Sequence, residues 1–206
     1  MKKILCITPV KHLEGVFDLF GLYGEVVYEP NISKTELKEI LKDKSIEYIF
    51  TNPNKQGFIL DEDVLSCSTV KVINTCSTGT NHIDIGYCKN KNIDVWSLTK
   101  DMELINQLPS TSELAFGLMC NLFRKIDEGF ESVKQGYWNY EPFVGKQIKD
   151  SSIGIIGYGR LGKIMEKFCK AFEMKTYIYD PYQNYADLDN LLVNSDVISL
   201  HVHVND

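Results

Sequence analysis

The stretch Ser152-Ile153-Gly154-Ile155-Ile156-Gly157-Tyr158-Gly159-Arg160-Leu161-Gly162 decides how this chain is read. A short β-branched run leads into three glycines spaced Gly157-x-Gly159-x-x-Gly162, and a helical pattern follows over 163–171. Strand, glycine bend and helix in that order make a phosphate-binding turn. Gly157 permits the sharp exit from the strand, Gly159 leaves bare backbone for a diphosphate, and Gly162 lets the helix pack close to the sheet. The helix start, with Arg160 and Leu161, offers free N–H groups and partial positive charge to the anion. A second strand, 175–179, ends at Asp180, eighteen residues beyond Gly162. That is near the roughly 20 expected of the acid that holds the adenosine ribose hydroxyls. Its negative charge would repel a 2′-phosphate, which favours NAD over NADP.

Upstream of this motif, short β-branched or aromatic runs alternate with helical stretches. Strands are expected at 4–8, 25–28, 47–51, 70–74 and 93–98, and helices at 12–20, 34–42, 61–67 and 83–89. Ser33 with Glu36 fits a capping box. Such alternation implies a parallel sheet covered on both faces, so 1–105 reads as one α/β domain and 106–206 as a second. A long helix opens the second part. Pro109 precedes a capping-box match at Ser110–Glu113, and apolar residues recur at Ala115, Leu118, Met119, Leu122 and Ile126, with Phe116 and Phe123 on another flank. The segment 129–145 reads as a loop whose Tyr137, Trp138, Tyr140 and Phe143 pack against a second surface. Downstream, 185–194 reads as a helix and 196–202 as a third strand.

Composition narrows the function. Of 206 residues, 44% are hydrophobic and 24% charged, an ordinary globular balance that excludes a disordered or collagenous chain. The net charge of −6 argues against nucleic acid or an anionic membrane as partner. No apolar run approaches the roughly 20 residues that span a bilayer. The N-terminal apolar run stops at Pro9, Lys11 and His12, too short for a signal peptide, so a first strand is expected there. The six cysteines form no CxxC, which signals no metal site and suits thiols in a reducing cytoplasm.

The glycine motif, its continuation Ala171-Phe172-Glu173-Met174-Lys175 and Tyr179-Asp180-Pro181-Tyr182 resemble the NAD-binding signature of the D-isomer-specific 2-hydroxyacid dehydrogenases, with the phosphoglycerate-dehydrogenase-like branch the nearest in character. Ser77-Thr78-Gly79-Thr80-Asn81-His82-Ile83-Asp84, Ser112–Leu118, Gly136-Tyr137-Trp138 and Leu191–His201 match other stretches of that family in the same order. The resemblance implies a flavodoxin-like domain followed by the first half of a Rossmann domain, with a cleft between them. It also implies that the N–H groups of Ser77, Thr78 and Gly79 hold the carboxylate of a 2-hydroxy or 2-oxo acid, as an anion nest does. Arg160 would lie near the diphosphate and His201 beside the cofactor. Relatives dimerise through the nucleotide domain, which implies a homodimer here, with Phe116, Phe123, Trp138 and Phe143 at its interface.

The family's catalytic Arg, Glu and His all fall downstream of the last strand, so no catalytic residue is assigned within 1–206. His12 and His82 read as structural or exposed. His203 stands where many relatives have Pro, and Gln107, with Asn106 beside it, stands where they carry a substrate-contacting Asn. A Rossmann sheet orders its strands 3-2-1-4-5-6, so three strands in sequence order would leave 153–156 as an uncovered apolar edge. The expectation is the N-terminal part of a longer NAD-dependent oxidoreductase, inactive as 206 residues. The competing class is a non-catalytic NAD-binding or dimerisation remnant. A methyltransferase with a glycine-rich loop is disfavoured by Tyr179-Asp180-Pro181.

Overall fold

The computed structural model describes residues 2–53, 56–185 and 187–202. The chain divides into two compact units, Met1–Ile105 and Asn106–Asp206.

In the first unit, five strands alternate with helices: β1 (Lys3–Cys6), α1 (Val16–Gly21), β2 (Glu25–Tyr28), α2 (Lys34–Ile40), β3 (Ile46–Thr51), α3 (Glu62–Leu65), β4 (Val72–Thr75), α4 (Ile85–Asn90) and β5 (Asp94–Trp96). Every pairing is parallel and the order is β2-β1-β3-β4-β5, the flavodoxin-like winding. Leu5, Ile49 and Ile73, register partners on one face of the central strands, and Leu37 on α2 are fully buried, while Ile4, Tyr48, Phe50 and Val72 are half-buried. The capping box at α2 is formed: Glu36 N donates to Ser33 Oγ at 3.3 Å and Ser33 N donates to Glu36 Oε2 at 2.9 Å. Asp61 and Asp84 cap α3 and α4 by one bond each, their carboxylates accepting Val64 N at 3.1 Å and Tyr87 N at 2.8 Å. The first helix starts later than the spacing suggests, at Val16, because Gly15 at φ +74° turns the chain immediately before it. The helices drawn at 61–67 and 83–89 are Glu62–Leu65 and Ile85–Asn90, and the strand drawn at 93–98 ends at Trp96.

A short helix, α5 (Met102–Asn106), leads to α6 (Ser110–Arg124), α7 (Ile126–Lys134), β6 (Ser152–Ile156), α8 (Arg160–Ala171), β7 (Lys175–Tyr179), α9 (Leu188–Asn194) and β8 (Val197–Leu200). The sheet is parallel and its order is β7-β6-β8. This corrects the expected open edge at 153–156. The strand that carries the glycine motif is central, and Ile153 and Ile155 are fully buried. Two features deliver β8 to the far side of β6. A side chain at Gly154 would strike Leu191, so the glycine lets α9 settle directly on β6. The Asp196 carboxylate then accepts Ser152 N and Ser152 Oγ, both at 2.8 Å, which fixes the register at the start of the strand. The outer strands are therefore β7 and β8, and Ile198 and Leu200 of β8 are exposed.

Two expectations about the long helix also change. The capping box at Ser110–Glu113 does not form. Pro109 is already helical (φ −85°, ψ −9°), so Ser110 sits inside the first turn, and Ser112 Oγ instead donates to Leu161 O at 3.0 Å. The inward stripe is Ser112, Ala115, Phe116, Met119 and Phe123, packed on β6 and α8, while Leu118, Leu122 and Ile126 face outward. Spacing alone allows either face, and Phe116 packing edge-on against Phe168 and tilted against Phe172 settles it. Part of the expected loop at 129–145 is helical. Lys125 at φ +50° breaks the helix, and Asn121 Oδ1 accepts Asp127 N at 2.9 Å to start α7. A 3-10 turn, Glu141–Phe143, follows.

Candidate functional site

In α/β sheets, ligands gather beyond the carboxyl ends of the strands where the winding reverses. In the first unit the winding reverses between β1 and β3, and the residues singled out from the sequence follow the neighbouring strand β4; in the second unit they line the reversal itself.

In the second unit the winding reverses between β6 and β8. Gly157 takes φ +90°, a left-handed conformation that favours glycine, and a Cβ there would lie 2.5 Å from the His201 carbonyl. A Cβ on Gly162 would run into the Gly157 carbonyl, so the helix can approach the bend only as glycine. Gly159, by contrast, is exposed and has no atom within 4 Å of a Cβ position, so bare backbone faces open space. Gly159 caps α8 without any side-chain bond, and the first-turn N–H groups have no partner within the helix. Open space, bare backbone and a twelve-residue helix pointing its N-terminus outward fit a diphosphate.

Asp180 closes the other end. It is 8% exposed, and its carboxylate accepts Tyr158 N at 2.8 Å, Tyr182 N at 3.0 Å and Gln183 Nε2 at 3.0 Å. The Tyr158 N–H bond, against an opposing effect of desolvation, holds the carboxyl below its ordinary range, so it is an ionised acceptor at neutral pH. Tyr158 turns its ring away to Tyr185, its hydroxyl donates to Glu166 Oε2 at 2.6 Å, and that bond pushes the phenol up to about 12. Arg160 donates from Nη1 to Leu108 O at 2.6 Å, and Leu161 accepts the Ser112 hydroxyl. His201 is half-buried, with Nε2 2.9 Å from Ser199 Oγ, and burial lowers its pKa.

In the first unit, the loop after β4 carries Ser77, Thr78 and Gly79. Ser77 Oγ donates to Gly79 O at 2.7 Å, and Thr75 Oγ1 lies 2.9 Å from both Ser77 Oγ and His82 Nε2. The backbone N–H groups of Ser77, Thr78 and Gly79 have no hydrogen-bond partner among the described residues. Three adjacent unpartnered N–H groups can grip an anion. Ser77 and Gly79 border a pocket of about 390 Å³ whose lining includes Pro53, Phe58, Asn81 and His82. His82 is buried, and desolvation lowers its pKa, so it is neutral at pH 7. Of the two readings the sequence allows for this histidine, structural or exposed, the structure gives the first. Nothing in spacing reveals that it braces the loop through a threonine.

Among the described residues no group of three His, Cys, Asp or Glu could hold a metal, and no helix is long and apolar enough to cross a membrane. All six cysteines are free thiols.

Known proteins match this arrangement in both halves. Residues 6–101 match the D-isomer specific 2-hydroxyacid dehydrogenase catalytic domain, and residues 116–206 match the NAD binding domain of the same family. A D-3-phosphoglycerate dehydrogenase of Archaeoglobus fulgidus is 31% identical over 212 residues, covering 97% of this chain and 38% of that protein. A hydroxypyruvate reductase of Thermotoga maritima is 31% identical over 183 residues, covering 85% of this chain and 57% of that protein. Among solved structures, the NAD+-bound 3-phosphoglycerate dehydrogenase of Entamoeba histolytica superposes with a TM-score of 0.74 at 26% identity, covering all of this chain and 64% of that one. An acyclic imino acid reductase in complex with NADPH and D-Arg gives 0.76 at 24% identity, covering 98% of this chain and 66% of that one. The chain thus spans about 40 to 60% of the length of these curated relatives. The glycine bend, the acid after the second strand and the matched domains in both units lead to one conclusion: the chain belongs to the D-isomer specific 2-hydroxyacid dehydrogenase family.

Proposed function

We propose that this chain binds NAD on the bend from Gly157 to Gly162, holds the adenosine ribose through Asp180, and grips the carboxylate of a D-2-hydroxy or 2-oxo acid with the N–H groups of Ser77, Thr78 and Gly79. The observation that supports it most is Gly159: an exposed, bare backbone position at the open N-terminus of α8, one bend away from an ionised Asp180. NAD, when bound, supplies the hydride acceptor for oxidation of the substrate's CH–OH carbon. The chain's own residues bind and orient. First-turn N–H groups of α8 take the diphosphate, Asp180 excludes a 2′-phosphate by charge, and the loop after β4 aims the carboxylate.

Oxidation of the alcohol also needs a base to take its hydroxyl proton. Among the described residues no histidine is paired with a carboxylate: His82 meets Thr75 and His201 meets Ser199. We therefore expect the 206-residue chain to bind NADH and a 2-oxo acid without turnover. Calorimetric titration of the NADH-saturated chain with glyoxylate, pyruvate and hydroxypyruvate, alongside absorbance at 340 nm, tests both halves. Binding without NADH consumption is expected; absence of any 2-oxo acid binding would remove the carboxylate role from Ser77, Thr78 and Gly79.

The outward face of the long helix suits a second copy of the chain. Leu114, Leu118 and Leu122 on α6 are 65%, 60% and 69% exposed, and Trp138 beyond α7 is 94% exposed. Apolar patches of this kind on a soluble surface mark interaction sites. Phe123 faces the core rather than the interface, and Phe116 packs within the unit, so the dimer contact moves to the leucine face and Trp138. Leu118→Glu with Leu122→Glu should convert a dimer to a monomer by light scattering; an unchanged mass would place the contact elsewhere. Six unpaired thiols support the reducing interior of a cell as the place of action.

A further inference from the structure

Asp180 is asked to accept ribose hydroxyls, yet its carboxylate is nearly filled. Oδ1 accepts Tyr182 N at 3.0 Å, and Oδ2 accepts both Tyr158 N at 2.8 Å and Gln183 Nε2 at 3.0 Å. A carboxylate offers about four lone-pair positions. The two hydroxyls of a ribose need two of them, so one donor already present must leave. Tyr158 N belongs to the glycine bend. Tyr182 N belongs to a turn that Gln183 N and Tyr185 N close by donating to Asp180 O, each at 3.1 Å. Neither can withdraw without moving backbone. Gln183 is exposed, and its bond to the carboxylate comes from its side chain, whose amide also donates to Tyr158 O at 2.8 Å. Both neighbours of that amide are acceptors, so the nitrogen, not the oxygen, must face them. The Gln183 side chain can rotate out and leave the backbone untouched.

We propose that Gln183 sets the affinity of the nucleotide site: its carboxamide occupies the position on Asp180 that a ribose hydroxyl takes, so the dinucleotide must displace it. This rests on the reading of Asp180 as the ribose acceptor. Side chains that cannot donate free the carboxylate in advance. Gln183→Met keeps the bulk and removes the donor, and Gln183→Ala removes both.

Fluorescence titration of the full chain with NADH tests the proposal. Both variants should bind NADH about three- to tenfold more tightly than the parent, the range set by one exposed hydrogen bond to a carboxylate. In an Asp180→Ala background the Gln183→Ala substitution should change nothing, because the contested acceptor is gone. In ¹⁵N spectra the Gln183 side-chain amide signals should shift towards solvent-like positions when NADH is added. Unchanged or weaker binding in both variants, while Asp180→Ala still weakens binding, would overturn the role of Gln183 alone. Tighter binding in Gln183→Ala but not in Gln183→Met would replace hydrogen-bond competition with simple crowding, which also overturns it. Equal affinity of Asp180→Ala and parent, or no NADH binding by the parent, would remove the ribose acceptor and this proposal with it.

Discussion

The two loops proposed here to bind anions are shaped by different means. Both follow a central parallel strand and precede a helix. The loop at 157–162 is shaped by steric necessity: Gly157 needs its positive φ, and Gly162 sits against the Gly157 carbonyl. The loop at 77–79 is held by side chains. Gly79 has nothing within 4 Å of a Cβ position and no positive φ, and the shape comes from the hydroxyls of Thr75 and Ser77 and the ring of His82. One loop is written in residues that must be absent, the other in bonds between residues that are present.

That contrast sets the size of the expected effects. Gly162→Val should be the most damaging change. Its side chain has no room against backbone, and about 3 kcal/mol of stability should be lost, together with NADH binding. Gly79→Ala should leave stability within about 0.5 kcal/mol, since it meets open space. Comparable losses in chemical denaturation of the two variants would erase the distinction between the loops. Thr75→Val comes next. It deletes the hydroxyl shared by Ser77 and His82 inside a buried site, and a cost of about 1–2 kcal/mol is expected in the same assay. A neutral result would show that the network does not hold the loop.

The smallest effect concerns pH. Burial lowers the His82 pKa below its ordinary 6.5, so the folded state binds fewer protons than the unfolded one in that range. Stability from a neutral His82 is therefore full above about pH 6.5 and is lost as pH falls through that value towards the folded pKa. His201, also lowered by burial, tilts the second unit the same way. His82→Gln should flatten the slope of melting temperature against pH between 7 and 5 relative to the parent. An identical slope would mean that His82 titrates as it does in the unfolded chain.

The same contrast explains what the sequence reveals. The glycine bend and Asp180 are legible because backbone geometry restricts which residues can stand there, and such restrictions leave fixed spacings. Strand alternation likewise reveals the parallel α/β class. The side of β6 on which β8 pairs is not legible. It depends on α9 settling over Gly154 and on Asp196 gripping Ser152, contacts between residues more than 35 positions apart in sequence. The inward face of α6 is ambiguous for a related reason: both faces are apolar, and only partners such as Phe168 choose between them. Ser110 fails as a cap because Pro109 extends the helix by one residue, a shift that spacing cannot register. Ser77, Thr78 and Gly79 came from family likeness, and the bracing of their loop by Thr75 and His82 came only from the fold.

Gly159→Asp tests the central claim most directly. The position is exposed, takes an ordinary φ of −74° and leaves space around a Cβ, so the substituted chain should melt as the parent does. The new carboxylate would stand where the diphosphate is to rest, and NADH affinity measured by fluorescence should fall at least about 100-fold through charge and bulk. An intact Gly159→Asp chain that binds NADH as tightly as the parent would contradict the account.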